Sequence, residues 1–335
     1  MLTHHNMQKT LSIRLLLPVL LTLTLASIML ALLIGNIPLG PSTLLHVLDG
    51  SETGLARSLI LELRLPRALN AFVTGGLLSV AGALMQVLVR NPLADPYVLG
   101  ISGGAAVAAL LAMLFGVSGY WLTGSAFAGA LLAMALVFVL SRGGGGSWTP
   151  TRLLLTGVVL ATGWGALISF ILAVSPDTNL RGMLFWLMGD LSFTAHSLFP
   201  ALVLAGGLLA CWPLGRDLNI LNRGEIQAGA LGVDTPRLHT VLYLLASLLT
   251  ATAVVQAGSI GFVGLVIPHL IRLLGITDHR ILLPAAALAG GSLLILADTL
   301  ARSLLAPQQL PVGIVTALLG IPLFLYLLQR GGRPQ

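Results

Sequence analysis

Long apolar runs, separated by short polar or glycine- and proline-containing stretches, are the dominant pattern of this chain. A helix needs about 20 apolar residues to cross the roughly 30 Å hydrocarbon core of a bilayer. Runs close to this length lie at 13–34, 68–88, 98–116, 120–140, 153–174, 197–213, 238–257, 259–274, 282–305 and 312–329. The pattern predicts an all-α polytopic membrane protein with about ten transmembrane helices and both termini on one side.

The first apolar run could be the core of a secretory signal, because it follows Lys9 and Arg14. It is too long for such a core, and no small-x-small cleavage site follows it. We therefore expect a tail at 1–12, one transmembrane domain at 13–330 and a second tail at 331–335.

Composition and charge agree with a membrane protein and give it an orientation. Only 8% of the residues are charged, against about 25% in a soluble domain. With a cytoplasmic N-terminus, the inner side receives Lys9, Arg14, Arg90, Arg142, Arg152, Arg216, Arg223, Arg237, Arg272, Arg280, Arg330 and Arg333, which is 12 of the 17 basic residues. Cytoplasmic loops of membrane proteins carry this excess. Topology therefore accounts for most of the net charge of +6, and we predict no nucleic-acid binding.

The stretch "LELRLPRALNAF" places Arg64 and Arg67 on the outer side, where the charge rule disfavours them. Glu62 is the only acidic residue nearby. One interpretation is that both side chains reach toward lipid headgroups from the end of a span. The other is that they form a docking site for an acidic soluble partner, because such charges raise association rates and fix the register of a complex.

An acidic residue, Asp298, lies inside the ninth apolar run, four residues before Arg302. This spacing places both on one helical face. We expect Asp298 to pair with Arg302 and hold it in position. A role in proton transfer is the alternative for an intramembrane carboxylate, but no series of further acids crosses the spans.

The chain lacks a nucleotide-binding P-loop, because its only lysine, Lys9, has no glycine-rich turn before it. Any ATP-driven process would require a partner ATPase. The expected contact is the longest inner loop, at about 216–237, in which Glu225 to Leu231 is predicted to be a short helix that ends at Gly232. An ordinary polar connector is the alternative.

Two blocks of sequence resemble a known family. "RLPRALNAFVTGGLLSVAGALMQVLVRNPLADPYVLGISGGA" is similar to the signature region of the iron-chelate, heme and cobalamin importer permeases (FecCD-like). "GSIGFVGLVIPHLIRLLGITDHRILLP", "ADTLARSLL" and "QLPVGIVTALLGIPLFLYLL" are similar to the C-terminal half of the same family, in the same order. The resemblance covers roughly residues 60 to 330.

The resemblance implies a homodimeric type II ABC importer permease in a bacterial inner (plasma) membrane, with cytoplasmic N- and C-termini. Its implied partners are a second copy of the chain, two cytoplasmic ATPase subunits that carry ATP and Mg, a periplasmic or surface-tethered substrate-binding protein, and membrane lipid. No cofactor on this chain and no catalytic residue are implied. Ferric siderophore, heme and cobalamin all remain as cargo, with the siderophore slightly favoured by prevalence in the family.

The resemblance also carries over functional residues. Docking of the binding protein is implied for Arg64, Arg67 and Arg302. Contact with the ATPase is implied for a coupling loop containing Glu225, Ala228, Gly229, Leu231 and Gly232. A cytoplasmic gate is implied at Thr149, Pro150 and Thr151, although the proline departs from the usual small hydroxyl residues and a simple turn fits equally well.

Two other classes of protein remain as alternatives to the importer. An ion-gradient-driven secondary transporter would be expected to carry buried acids near the midplane, and Asp298 alone supports it. An intramembrane enzyme would need a nucleophile with its base or a metal set. No metal site is predicted, because His269 has no second ligand at suitable spacing on its helix.

Overall fold

The computed structural model describes residues 2–35, 37–52, 54–142, 149–193 and 198–331. Within these ranges the chain is helical and has no strand. The helices are α1 (Leu2–Leu33), α2 (Pro41–Leu48), α3 (Leu55–Ser58), α4 (Leu65–Leu88), α5 (Ile101–Leu114), α6 (Tyr120–Ser141), α7 (Pro150–Val174), α8 (Asp177–Met188), α9 (Phe199–Leu221), α10 (Glu225–Ala230), α11 (Thr235–Ala257), α12 (Val263–Leu273), α13 (His279–Ser303) and α14 (Val312–Gly331).

Ten of these helices correspond to the ten apolar runs. Among the described residues, seven helices are long and apolar enough to cross a membrane. Three shorter apolar helices lie at Ile101–Leu114, Val263–Leu273 and Val312–Tyr326. Helix α1 begins at Leu2, so the segment expected as an N-terminal tail is helical and continuous with the first run.

The second apolar run starts earlier than its sequence indicates. Pro66 lies just before this run, and proline commonly begins a helix, but helical structure continues through it from Leu55 to Leu88. A π-helical turn, Leu59–Arg64, precedes Pro66, and the N–H group of Leu65 donates to the carbonyl oxygen of Ile60. Proline removes one backbone donor and crowds the preceding turn, and the wider π turn at this point allows the helix to continue.

Helix α4 lies at the centre of the bundle and packs against α9, α11, α12 and α13. Glycines permit its close contacts. A Cβ atom added at Gly75 would overlap the carbonyl group of Gly290, and one added at Gly82 would overlap that of Gly264. The four-residue spacing of small residues from Gly75 to Ala83 therefore serves helix packing, as such spacing does in other membrane proteins.

Helix α7 is mostly exposed, unlike α4. Only 11% of the most apolar stretch of α7 is buried inside the subunit, against 89% for the segment that contains α4. Its exposed side chains include Leu155, Val159 and Phe170, and nothing lies within 4 Å of a Cβ atom placed at Gly163 or Gly165. This face of α7 is available to lipid or to a second chain.

Candidate functional site

The three arginines implied for docking lie together. Arg64 and Arg67 come from the segment around Pro66, and Arg302 comes from the last turn of α13. All three line one cavity of about 380 Å³, together with Glu62, Ser192 and Gln309. Residues far apart in the sequence therefore build a single basic surface, as the docking hypothesis requires.

The Arg64 side chain closes the end of α1. It is only 6% exposed, and its guanidinium group donates to the carbonyl oxygens of Leu32 (2.6 Å), Leu33 (3.2 Å) and Ile37. The last carbonyl groups of a helix have no partner within the helix. Arg64 donates to two such carbonyls, of which Leu33 also accepts from the Leu39 N–H, so it has a structural role in addition to any role in docking.

Arg67 is held by a carboxylate on another helix. Its Nε atom donates to Oδ2 of Asp298 at 3.0 Å and its second terminal nitrogen to Oδ1 at 2.8 Å. The first terminal nitrogen reaches Ser192 Oγ and Gln309 Oε1, each at 3.2 Å. These four contacts fix Arg67 at the wall of the cavity, where 16% of its side chain remains exposed.

Asp298 is shared between two arginines. Arg302 Nε lies 3.1 Å from Asp298 Oδ2, which gives the ion pair expected from their spacing. The sequence did not indicate that Arg67 binds the same carboxylate, nor that Asp190 lies 3.9 Å from Arg67. The lining of the cavity itself holds three arginines and one acid, Glu62, whereas the carboxylates of Asp190 and Asp298 lie buried beside Arg67.

The predicted coupling helix is α10, which ends at Ala230, one residue before the expected end. Gly232 follows with a φ of +82°, a conformation that glycine adopts readily at a helix end. The carboxylate of Glu225 lies 3.5 Å from the guanidinium group of Arg90, in the turn after α4. Both side chains are more than 40% exposed, so this ion pair contributes little, and α10 is held mainly by its packing against α9 and α11.

The residues implied for ATPase contact do not all face outward. Ala228 is fully buried, whereas Leu231 is 60% exposed and Gly229 has open space beside it. Ile226, which the sequence analysis did not single out, is 90% exposed. A large apolar side chain in a short polar segment was the signal that could have identified it.

The residues implied for the gate begin a helix. The Thr149 hydroxyl oxygen accepts from the backbone N–H of Arg152 at 3.4 Å, and Pro150 occupies the first turn of α7. Threonine at the cap and proline just inside it are common at helix starts. Thr151 is exposed on the first turn. The glycine-rich segment before them, 143–148, lies outside the described residues.

His269, the histidine considered above as a metal ligand, makes an aromatic contact. His269 packs edge-on against Phe324, with ring centroids 6.5 Å apart. Among the side chains that the structure describes, no group of three His, Cys, Asp or Glu residues is placed to hold a metal ion.

Comparison with known proteins identifies the class. The chain is 43% identical over 295 residues to an uncharacterized ABC transporter permease, YvrB of Bacillus subtilis, covering 85% of this chain and 83% of the relative. It is 41% identical over 317 residues to the vitamin B12 import system permease BtuC of Yersinia enterocolitica, covering 93% and 91%. A solved chain assigned to the metal-chelate type of ABC transporter, in an inward-facing conformation, aligns with a TM-score of 0.82 and 33% identity over 95% of this chain and 99% of that chain.

The fold and these relatives define a multi-pass permease of the inner membrane. The model of the FecCD transport family matches residues 23–330, and the protein belongs to that family.

Proposed function

We propose that this chain is the permease subunit of an ATP-driven, binding-protein-dependent importer of a metal chelate. The family match over residues 23–330 carries this proposal. Vitamin B12 and cobalamin permeases are among the relatives at 41–42% identity, so cobalamin is the first cargo to test, followed by ferric siderophore and heme. The energy comes from ATP hydrolysis on partner subunits.

The proposed topology has ten spans, which are the seven long apolar helices and the three shorter ones. Both termini lie in the cytoplasm. Polar contacts support this topology, because they join residues that the order of the ten spans places on the same side. Arg67 meets Asp298 and Gln309 on the outer side. Arg90 meets Glu225 on the inner side.

A second copy of the chain is proposed to cover α7. This helix is the least buried of the seven candidate spans. Small or hydroxyl side chains on its exposed face, such as Thr162, Gly163 and Gly165, would allow two copies to approach closely and would leave a path of mixed polarity between them.

In the proposed mechanism, the loaded binding protein docks on the outer cavity of Arg64, Arg67 and Arg302. Acidic side chains on its surface would meet the guanidinium groups that line this cavity, through charge-assisted hydrogen bonds. The depth of the arginines means that these acids must enter the cavity, which favours a partner that presents carboxylates on projecting side chains.

On the inner side, α10 is proposed to seat in a groove of the ATPase subunit. Ile226 and Leu231 offer an apolar contact, and α10 packs against the long helices α9 and α11. Closure of the ATPase subunits would move these elements together as a rigid body. The start of α7 at Thr149, Pro150 and Thr151 is the proposed gate, because a shift of this helix end would widen or close the inner mouth.

The ion-gradient-driven alternative gains no support from Asp298. Its carboxylate is bound by both Arg67 and Arg302, an arrangement suited to positioning the arginines rather than to carrying protons.

ATP hydrolysis by the assembled complex tests the proposal. The permease is reconstituted with its cognate ATPase subunits, and hydrolysis is measured with and without cargo-loaded binding protein. We expect stimulation by the loaded protein and inhibition by vanadate. A permease that neither binds the ATPase subunits nor alters their activity would contradict the assignment.

A further inference from the structure

A second basic cavity lies at the opposite end of the bundle from the docking arginines. It has a volume of about 350 Å³ and lies between the last turns of α9 and the start of α13. Its lining consists of Arg216, Asn219, Ile220, Arg223, Asp278 and Arg280. Small-molecule sites in proteins have volumes of this order.

Three arginines and one carboxylate line this cavity, so positive charge is in excess in its lining. None of the ion pairs among the described residues includes Arg216, Arg223 or Arg280.

The one carboxylate in the lining is already engaged. Asp278 accepts a hydrogen bond from the Asn219 side-chain amide at 2.9 Å and another from the Arg280 backbone N–H at 3.0 Å. Burial opposes the charge of Asp278, but these hydrogen bonds and the nearby cations outweigh it and hold the pKa below its ordinary value. The carboxylate therefore caps α13, and one carboxylate against three guanidinium groups leaves positive charge for an outside anion.

The exposed face of α9 leads from the apolar surface to this cavity. Leu202, Leu209 and Trp212 are 68%, 74% and 58% exposed, and Arg216 follows Trp212 by four residues, on the same face of the helix. An apolar stripe that ends in tryptophan and then arginine is typical of a helix leaving the hydrocarbon core at the headgroup level.

Close packing of the two helices sets the position of the Arg280 side chain. A Cβ atom added at Gly215 would lie 2.5 Å from Cγ of Arg280. The absence of a side chain at Gly215 lets the aliphatic part of Arg280 cross α9, so that its guanidinium group reaches the cavity lined by Arg216 and Arg223.

We propose that this cavity binds the phosphate-containing headgroup of an anionic phospholipid. One guanidinium group can donate two parallel hydrogen bonds to a phosphate group. Basic pockets between transmembrane helices on the cytoplasmic side are suited to anionic headgroups. An acidic segment of a partner protein would satisfy the charge as well, but the apolar stripe that leads into the cavity favours a ligand with acyl chains. The assignment to the cytoplasmic leaflet depends on the proposed orientation, whereas the binding itself does not.

Lipid titration of the purified full-length permease tests this site without any transport assay. Native mass spectrometry in detergent would measure binding of phosphatidylglycerol, with phosphatidylcholine and inorganic phosphate as separate ligands. The variants are Arg216→Gln, Arg280→Gln and the double variant. Arg152→Gln, an exposed arginine of the inner side outside the cavity, is the matched control. Thermal unfolding in the absence of phosphatidylglycerol checks that each variant is folded, and Arg223→Gln replaces any variant that is not.

Phosphatidylglycerol is expected to bind the wild-type protein more tightly than phosphatidylcholine. Each substitution in the cavity should weaken this binding about fivefold, and the double variant about 25-fold, since one basic residue near anionic lipid contributes about that factor. The control should bind as the wild type does.

Equal binding of the two lipids, or equal loss in the control, would overturn the proposal. Inorganic phosphate that binds as well as the lipid would assign the site to a soluble anion. The ATPase subunits could instead displace the bound lipid and bind the cavity variants less tightly than the wild-type permease. That result would assign the cavity to a protein contact.

Discussion

Arg67 on α4 and Asp298 on α13, 231 residues apart in the sequence, are joined by hydrogen bonds of 2.8 and 3.0 Å. Asp298 also pairs with Arg302 at 3.1 Å. One buried carboxylate thus fixes two of the three arginines proposed to receive the binding protein. The outer surface is preorganised, because its basic side chains are held before any partner arrives.

Asp298→Asn is expected to destabilise the permease by about 3 kcal/mol, because removing one partner of a buried ion pair leaves its arginines uncompensated. Thermal or denaturant unfolding in detergent measures the effect. Asp177→Asn, at an exposed acid in the first turn of α8, should change stability by less than about 0.5 kcal/mol. Equal stability of the two variants would show that Asp298 does not hold the cluster together.

Arg64→Lys separates the structural role of Arg64 from its charge. Lysine keeps the positive charge but cannot match the planar set of donors that reaches Leu32, Leu33 and Ile37. We expect stability to fall by about 1–3 kcal/mol, as when buried acceptors lose a donor, while the affinity for the binding protein changes little. A variant with full stability would contradict the role of Arg64 at the end of α1.

Arg67→Glu is expected to weaken docking of the binding protein about tenfold or more at low salt, since charge reversal at an interface lowers both the association rate and the affinity. Surface plasmon resonance with the permease in nanodiscs measures both. Arg57→Glu, an equal charge change at an exposed residue outside the cavity, is the control. If the two variants bind alike across a salt titration, the cavity is not the docking site.

Ile226→Asp should impair assembly with the ATPase subunits without harming the permease itself. Ile226 is 90% exposed in the free subunit, so its replacement costs little fold stability. Loss of a buried isoleucine contact contributes about 1.5–3 kcal/mol, or roughly ten- to 150-fold in affinity. Co-purification of the ATPase subunits with the variant is compared with that of Gln227→Asp, at the neighbouring exposed position. Undiminished assembly of Ile226→Asp would exclude it from the interface.

Gly82→Ala tests the close packing of α4 against α12. The added methyl group would collide with the backbone of Gly264, and overpacking of this kind costs about 1–3 kcal/mol. Gly124→Ala on α6, where a Cβ atom meets nothing within 4 Å, should be neutral or slightly stabilising because alanine favours helix. Unfolding temperatures of the two variants decide the comparison, and similar values would refute the proposed contact.

The helices of the ten apolar runs and the short inner helix could be predicted from the sequence because their signals are local. Apolar runs indicate spans, and the pairing of Asp298 with Arg302 follows from a separation of one helical turn. Glu225 and Gly232 similarly marked the limits of α10 to within about one residue.

The contacts that build the outer cavity could not be predicted in this way. The hydrogen bonds of Arg67 to Asp298 and Gln309 join separate helices, and the spacing of residues along the chain carries no information about which helices meet. Arg64 was interpreted only as a charge, because nothing near it in the sequence indicates that the end of α1 lies within its reach. The π turn before Pro66 was missed for a related reason, since proline ordinarily marks a helix start.

Uptake into proteoliposomes tests the central claim most directly. Vesicles holding the permease and its cognate ATPase subunits are supplied with binding protein and with labelled cobalamin, ferric siderophore or heme in parallel. We predict that one chelate accumulates only when ATP and the binding protein are both present, and that vanadate stops it. Accumulation driven by an ion gradient, in the absence of ATP and binding protein, would contradict the importer and assign the chain to secondary transport.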